Sequence, residues 1–381
     1  MDRIGAPTRA DVEAVLRKVV DPELGVDIVE LGMVQRIDVA DDGGVEVQIA
    51  LTIAGCPLRA QIRDDARARI GSLPGVGDVG IHFGELTPAQ RSQVMQRARL
   101  KASQSAPDTE VGASTRILAI ASGKGGVGKS SITCNLAAAL AVEGYTVGVL
   151  DADIWGFSVP RMLGVEGRLG AKDGMIQPAE RVIGNGLLKV VSMGLLVDDE
   201  DQAIMWRGLL LAKAVEEFLT KVQWGALDYL LIDMPPGTGD VQMALGRLLP
   251  RAEMLIVTTP ALAAQKVAVR VADMARRGYL RVIGVIENMS VFTCGHGESY
   301  ELFGSGGGER LAADIGAPLV ARIPLSPAVS AGGDCGEPAA LSLEDPAFGA
   351  LARRVISELA PPIDMQGCSA RLVRAMEAAV T

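Results

Sequence analysis

One stretch of the sequence, residues 116–140, limits the possible folds more than any other. It reads as the apolar run RILAIA, then the glycine-rich loop SGKGGVGKS, and then the apolar helical segment SITCNLAAAL. A loop of this kind lets backbone N–H groups converge on phosphate oxygens, and the following helix directs the positive end of its dipole at the same place. A strand, a phosphate-binding loop and a helix in this order predict one unit of an open α/β sheet.

Further apolar runs follow this unit and alternate with longer segments of helical periodicity. That alternation is typical of a parallel sheet with crossover helices. We therefore predict an α/β fold class in which residues 115–381 form a phosphate-loop NTPase domain with a mostly parallel, doubly wound sheet. The predicted strands are residues 116–121, 146–151, 188–193, 229–234, 254–259, 281–288 and 318–324.

The first hundred residues follow a different pattern. Helical spacing in residues 8–20 precedes two strand-like segments separated by the turn DDGG, and a helix, a short strand and a last helix ending at Leu100 come after them. We predict a small α/β domain over residues 1–100. Residues 101–114, KASQSAPDTEVGAS, are polar and aperiodic and contain Pro and Gly, so they are predicted to be a linker.

Charge and cysteine usage narrow the functional classes. A formal net charge of −9 argues against a general nucleic-acid-binding surface. The N-terminus has no apolar signal core and no run of about 18 apolar residues occurs, so we expect a cytoplasmic protein without stable membrane association. The five cysteines are scattered and do not indicate a secreted disulfide framework. They are expected to be reduced thiols or metal ligands.

The loop predicts which atoms hold a nucleotide. Lys129 is placed to neutralise the terminal phosphates, and the Ser130 hydroxyl is placed to hold Mg²⁺. Lys124 is a second lysine, one more than such a loop needs. The predicted nucleotide-binding residues of the loop are Ser122, Gly123, Lys124, Gly125, Gly126, Val127, Gly128, Lys129, Ser130 and Ser131.

Acidic residues end two of the predicted strands, where ligands of open α/β sheets bind. An acid that ends an apolar strand is costly unless it is paired or bound to a metal. We predict that Asp233 holds Mg²⁺ through water and that Asp153 orients the attacking water. Asp151 either belongs to the same site or stabilises only its own turn. In the segment PPGTGD, the Gly237 amide is predicted to lie near the γ-phosphate and to act in a switch.

The loop sequence KGGVGKS resembles the deviant Walker A motif of the MinD, ParA and nitrogenase-reductase superfamily. In that superfamily the early lysine reaches the nucleotide of the partner subunit in a sandwich dimer. The resemblance implies a homodimer in which Lys124 is catalytic in trans, together with Lys129 and Asp153 of the nucleotide's own chain. A solvated surface lysine is the alternative for Lys124.

Several blocks between residues 115 and 358 resemble the Mrp/ApbC family of iron–sulfur cluster carrier ATPases, among them DADIWGFSVP, MWRG, IDMPPGTGD, IENMS and ELFGSGGGERLA. The N-terminal stretches DPELGVDIVELGMV and LTIAGCPL resemble the small domain that is often fused to these carriers and that also occurs among iron–sulfur maturation factors. The resemblance implies ATP as the nucleotide, Asn288 beside the adenine, and apo iron–sulfur proteins and cluster-assembly factors as partners.

The metal site departs from the family pattern. Family members carry a Cys-x-x-Cys pair after NMS, so that a dimer offers four thiolates to one 4Fe–4S cluster. Here Cys294 matches the first ligand, the second cysteine is absent, and His296 lies nearby. Two chains would offer two thiolates and two imidazoles; otherwise Cys294 is an ordinary thiol. Cys56, ahead of a predicted helix whose N-terminus would lower its thiol pKa, is a ligand, a reactive thiol or a buried structural residue.

These observations lead to three functional hypotheses. The first is an ATP-hydrolysing homodimer that carries an iron–sulfur cluster to apo-proteins. The second is a positioning ATPase of the MinD or ParA kind, against which the acidic composition and the fused N-terminal domain argue. The third is an electron donor like nitrogenase reductase, which requires a firmly held cluster and is disfavoured by the missing cysteine.

Overall fold

The computed structural model of the chain describes residues 6–363, apart from residues 22–23, 25, 52–58, 105, 155, 197–207, 238, 279 and 343–345. The chain divides into two compact units, Met1–Ser105 and Ala106–Thr381. Within the described ranges no helix is both long and apolar enough to cross a lipid bilayer.

The first unit is a small α/β fold. Strand β2 pairs antiparallel with β1 and parallel with β3. A capping box starts the first helix: the Asp11 amide donates to the Thr8 hydroxyl and the Thr8 amide donates to the Asp11 carboxylate. That helix ends four residues before its predicted end at Val20, which instead forms a β-bridge with Asp27. The elements are α1 (Arg9–Leu16), β1 (Val34–Val39), β2 (Val45–Leu51), α2 (Arg59–Gly71), β3 (Val79–Glu85) and α3 (Pro88–Gln104).

The second unit is built on a nine-stranded sheet among its described residues. Its strand order is β13-β12-β11-β4-β10-β5-β9-β8, and β14 also pairs with β12. Only β8 and β13 are antiparallel to their neighbours in this sheet, which confirms the predicted mostly parallel α/β class. A separate hairpin joins β6 and β7. The strands are β4 (Arg116–Ser122), β5 (Thr146–Asp151), β6 (Gly170–Lys172), β7 (Met175–Gln177), β8 (Ala179–Ile183), β9 (Gly186–Val191), β10 (Tyr229–Asp233), β11 (Glu253–Thr258), β12 (Arg281–Thr293), β13 (Ser299–Tyr300) and β14 (Leu319–Leu325).

Helices cover both faces of this sheet. Alternate residues of β4 show the two faces, because Ile117 and Ala119 belong to one apolar core and Leu118 and Ile120 to the other. The helices are α4 (Lys129–Val142), α5 (Val159–Met162), α6 (Gly208–Lys221), α7 (Asp240–Leu248), α8 (Leu262–Arg277), α9 (Gly307–Ile315), α10 (Pro327–Cys335) and α11 (Pro346–Arg354).

Helix α4 is the most enclosed of these segments. Eleven of its fourteen residues are buried, including Cys134, whose thiol pKa is raised well above the usual value because the thiol is shielded from water. Small residues such as Ala137 and Ala138 let the helix lie close to the sheet. The phosphate loop therefore leads into the interior of the second unit.

A guanidinium group helps to anchor the start of the second unit. Arg251 donates hydrogen bonds to the carbonyl oxygens of Val111, Gly112 and Ala113. Helix α3 of the first unit continues to Gln104. The predicted linker 101–114 thus overlaps the end of α3 and the first bonded residues of the second unit.

Candidate nucleotide site

A cleft of about 250 Å³ lies where strands β4, β5 and β10 end. Parallel strands present their carboxyl ends on one edge of the sheet, so loops from distant parts of the sequence meet there. The lining residues come from the phosphate loop, from the segment after β5 and from the loop after β10. They are Ser122, Lys124, Gly125, Gly126, Val127, Gly128, Lys129, Ser130, Ser131, Asp153, Ser158, Met162 and Pro236.

Glycine is required at several points of the phosphate loop. Gly126 and Gly128 both have φ of 79°, in the left-handed region that other residues rarely adopt. A Cβ atom at Gly123 would lie 2.5 Å from the backbone of α8, at the nitrogen of Ala268. A Cβ at Gly125 would instead meet no atom within 4 Å. The loop backbone thus packs tightly against α8 on one side and faces the open cleft on the other.

Lys129, the lysine predicted to bind phosphate, lies among carboxylates. Its Nζ is 2.8 Å from Asp233 Oδ2 and 3.7 Å from Asp153 Oδ2. The Ser130 hydroxyl donates to the same Asp233 oxygen at 2.6 Å. The structure therefore brings together the residues predicted for phosphate, for Mg²⁺ and for the attacking water.

Thr133 is a further site residue, which the sequence motifs did not predict. Its hydroxyl donates to Asp233 Oδ1 at 2.8 Å, so that both carboxylate oxygens of Asp233 accept hydrogen bonds from α4. The signal was present in the sequence, because Thr133 follows Lys129 by four residues and lies on the same face of the helix. Thr133 fixes the orientation of the carboxylate towards Ser130.

Asp151 holds the turn that follows β5. Its carboxylate accepts hydrogen bonds from the Ser192 hydroxyl and from the amides of Asp153, Ser158 and Val159, at 3.1–3.3 Å. Asp151 is also the direct cross-strand partner of Asp233. Burial, followed by the negative charge of Asp233, raises the pKa of the Asp151 carboxyl to about 7. Of the two roles considered for Asp151, these contacts favour stabilisation of its own turn, which carries Asp153.

This pKa makes the stability of the second unit depend on pH. Asp151 binds its proton more tightly in the folded chain than at its ordinary value of 3.8. Its contribution to stability is therefore fully present below about pH 4 and is lost as the pH rises through about 7. Urea unfolding followed by tryptophan fluorescence measures this effect. As the pH rises from about 4 to about 7, we expect the urea midpoint of wild type to fall more steeply than that of Asp151→Asn. Equal slopes in the two proteins would contradict the assignment.

The loop after β10 is tied to the phosphate loop. The Gly237 amide donates to the Ser122 carbonyl at 2.9 Å, and the Gly237 φ is 89°. The Gln242 side chain donates to the Gly237 carbonyl at 2.6 Å, while its buried Oε1 atom has no hydrogen-bond partner within the described structure. The Gly237 amide would have to leave Ser122 to reach a γ-phosphate, so its predicted role requires this loop to move.

Lys124 differs from Lys129 in its surroundings. Its side chain is exposed and lines the cleft. Its ammonium group has no ion-pair partner among the residues that the structure describes, whereas Lys129 contacts two carboxylates. Lys124 is therefore available to a phosphate or to a second chain.

The side chains at the cleft fit a magnesium nucleotide. The open loop backbone and Lys129 match phosphate oxygens, and a hydroxyl beside a carboxylate, Ser130 and Asp233, matches the oxygen ligands that Mg²⁺ takes together with water. Asn288, predicted to lie beside the adenine, is 7% exposed and donates its amide to the Val127 carbonyl at 2.9 Å. The structure thus gives Asn288 a contact with the phosphate loop itself.

The predicted cluster ligands lie on another part of the second unit. Cys294 directly follows β12 and is partly exposed, and His296 is exposed. Two backbone bonds of 2.9 Å close the turn between β12 and β13: Cys294 donates to Glu298, and Gly297 donates to Cys294. Within the described residues no group of three or more His, Cys, Asp or Glu side chains is placed to hold a metal ion. Cys56 lies outside the described residues.

The second unit matches a known protein family. The family model described as NUBPL iron-transfer P-loop NTPase matches residues 113–360. The chain belongs to this family. In the first unit, residues 9–83 match a second family model, described as iron–sulfur cluster assembly protein.

Several relatives of the chain carry the same name. Proteins named iron–sulfur cluster carrier protein are 44% identical over 349 residues in Mycobacterium tuberculosis, covering 89% of this chain and 90% of the relative, and 40% identical over 359 residues in Synechocystis, covering 93% and 97%. The nucleotide-binding protein from Archaeoglobus fulgidus, solved in complex with ADP, matches with a TM-score of 0.51 and 35% identity, covering 61% of this chain and 90% of that one. The predicted resemblance to iron–sulfur cluster carriers is confirmed.

Proposed function

We propose that this iron-transfer P-loop NTPase binds and hydrolyses ATP as a homodimer, holds an iron–sulfur cluster between its two subunits, and transfers the cluster to apo-proteins. The observation that carries the proposal is the partly exposed thiol of Cys294 at a hairpin turn, in a chain of the carrier family whose phosphate loop is complete.

The nucleotide half of the proposal rests on charge. In the structure the Lys129 ammonium forms an ion pair with the Asp233 carboxylate. The pair keeps both groups at the place where phosphate and Mg²⁺ would bind. Bound Mg²⁺ would supply positive charge to the phosphates. Ser130 and, through water, Asp233 would hold the ion, and Lys129 would turn to the terminal phosphate. Burial raises the pKa of Asp153, which makes this carboxylate a better proton acceptor for the attacking water than an exposed aspartate.

Lys124 gives the test of the dimer. We expect Lys124→Ala to lower the ATPase rate about 10²-fold, the effect of losing one charged donor at a transition state, with little change in ATP affinity. Mixing Lys124→Ala with Asp153→Asn, each nearly inactive alone, is expected to restore part of the activity. The mixed dimer would have one nucleotide site with its own Asp153 and the partner's Lys124.

The mixing experiment separates the two roles considered for Lys124. Activity that stays at the sum of the two separate variants would show that Lys124 does not act across subunits. Lys172→Ala serves as the control, because Lys172 is an exposed lysine on β6.

The cargo half rests on the hairpin between β12 and β13. Each chain offers the Cys294 thiolate and the His296 imidazole, and two chains would double this set; imidazole can replace thiolate on iron. The exposed side chains of Tyr300, on β13, and of Leu302 and Phe303, just after it, provide apolar surface. Apolar surface of this kind commonly marks a place that another protein covers, as both a second subunit and an apo-acceptor would do.

Loss of Cys294 is the direct test of the cargo. After anaerobic reconstitution, we expect wild type to contain iron and sulfide with a visible absorption band, and Cys294→Ala to fall to background. Transfer to an apo iron–sulfur enzyme, measured by its activity, should be lost with it. Cys335→Ala is the matched control, since Cys335 is an exposed thiol elsewhere in the unit. Iron and sulfide in Cys294→Ala at wild-type levels would show that another residue is the ligand.

A further inference from the structure

The phosphate loop and the cysteine hairpin are joined by one strand. Asn288, within β12, donates its side-chain amide to the Val127 carbonyl of the loop. The Met289 methyl group lies beside the loop as well, 3.5 Å from where a Cβ of Gly128 would stand. Cys294 follows the same strand six positions after Asn288. Because of these contacts, a shift of the loop backbone at Val127 or Gly128 would also displace β12.

The strand is irregular between these two points. From Asn288 to Phe292 it advances four residues while its partner β14 advances two, from Ile323 to Leu325. The extra residues form a bulge, which we call the 289–291 bulge. Bulges of this kind bend a strand and re-aim the residues that follow. The hairpin with Cys294 is thus aimed by the shape of this bulge.

Backbone strain is located in the same bulge. Met289 has φ of 54°, in the left-handed region that side chains other than glycine rarely adopt. The Ser290 hydroxyl donates to the Ile323 carbonyl at 3.2 Å and holds the bulge against β14. A non-glycine residue persists in this conformation only when its surroundings impose it. Here the surroundings are the phosphate loop on one side and β14 on the other.

We propose that the 289–291 bulge couples the state of the phosphate loop to the Cys294 thiol, with Asn288 as the residue that transmits it. Nucleotide binding that moves the Val127 carbonyl breaks or re-aims the Asn288 bond, lets the strained bulge relax, and changes the exposure of Cys294. The coupling deepens the proposed function, and its meaning for cargo release rests on Cys294 being the cluster ligand.

Thiol reactivity tests this coupling without any cluster. The full-length, reduced, metal-free protein is treated with iodoacetamide, with and without Mg²⁺ and a non-hydrolysable ATP analogue, and the alkylation rate at each cysteine is measured by peptide mass spectrometry. We expect the nucleotide to change the Cys294 rate at least about fivefold, the lower end of coupling between sites. Cys335, exposed at the end of α10, is the internal control.

Two variants interrupt the proposed connection. Asn288→Ala removes the bond to Val127, and Met289→Gly removes the strain. Both are expected to bring the ratio of Cys294 alkylation rates with and without nucleotide close to one. Met289→Gly is expected to do so while the analogue still binds and the oligomeric state, measured by light scattering, is unchanged. Asp173→Gly is the matched control because Asp173 has the same φ of 54° in the turn between β6 and β7. That control should keep the wild-type effect.

Each outcome decides for or against the coupling. If Met289→Gly keeps the full nucleotide effect, or if wild type shows none at Cys294, the coupling is wrong. Should Asn288→Ala fail to bind the analogue, Met289→Gly decides alone. A nucleotide effect on Cys294 in a protein that takes up no iron would leave the coupling standing and would overturn the proposed cargo instead.

Discussion

Replacing Lys129 with alanine is expected to lower the ATPase kcat/KM by at least about 10²–10³-fold, since the lost ammonium is the positive charge closest to the transferred phosphate in the proposed site. Lys129→Ala should also weaken nucleotide binding more than Lys124→Ala does, because Lys129 belongs to the chain that holds the nucleotide. Lys129 is only 6% exposed and touches both Asp153 and Asp233, so no other described lysine is placed to substitute for it.

The measurement is steady-state phosphate release together with equilibrium binding of a fluorescent ATP analogue. Lys172→Ala, which changes an exposed lysine in the same unit, should behave as wild type. Retention of a tenth or more of the wild-type kcat/KM by Lys129→Ala would show that the loop holds phosphate mainly through its backbone.

Replacing Asp233 with asparagine is expected to remove Mg²⁺-dependent hydrolysis and also to destabilise the second unit. Asp233 is 1% exposed and accepts hydrogen bonds from Ser130 and Thr133 while pairing with Lys129. Removing one partner of a buried ion pair leaves the other charge uncompensated and costs about 3 kcal/mol. The remaining contact of Lys129 with Asp153, at 3.7 Å, keeps the loss at the lower end of the measured range.

Tryptophan fluorescence measures the stability of the second unit separately from that of the first. All three tryptophans, Trp155, Trp206 and Trp224, lie in the second unit, so their emission during urea unfolding reports on that unit alone. The matched control is Asp228→Asn, an exposed aspartate directly before the same strand β10. A midpoint of Asp233→Asn equal to that of the control would contradict the proposed burial of charge.

Sequence patterns predicted the strands of the large sheet well where both faces of a strand are buried. Each of the seven predicted runs is a strand, and β10 is buried at every position. Strand β8, which was not predicted, is an edge strand in which partly buried and exposed residues alternate up to a buried Ile183. Such a strand has no continuous apolar run, and its place depends on an antiparallel partner.

The site was predictable in its local parts and not in its long-range contacts. Lys129 and Ser130 were identified from the loop motif, and Asp233 from its place at a strand end. The bond between Asn288 and Val127 spans 161 positions and depends on the strand order, which no local pattern encodes. The chemical roles of these residues towards nucleotide and cluster stay predictions.

The burial of α4 has a consequence for where motion can occur in this protein. Amide hydrogens of a helix enclosed at eleven of fourteen positions exchange with solvent only when much of the unit opens. The phosphate loop runs into that helix at Lys129, whereas Lys124, Gly125 and Gly126 ahead of it are exposed. A change between nucleotide states is then expected in the loop ahead of Lys129 and in the segments around the cleft, which are the turn after β5, the loop after β10 and the end of β12. Helix α4 is the fixed wall of the cleft, and the loops around it are the parts that move.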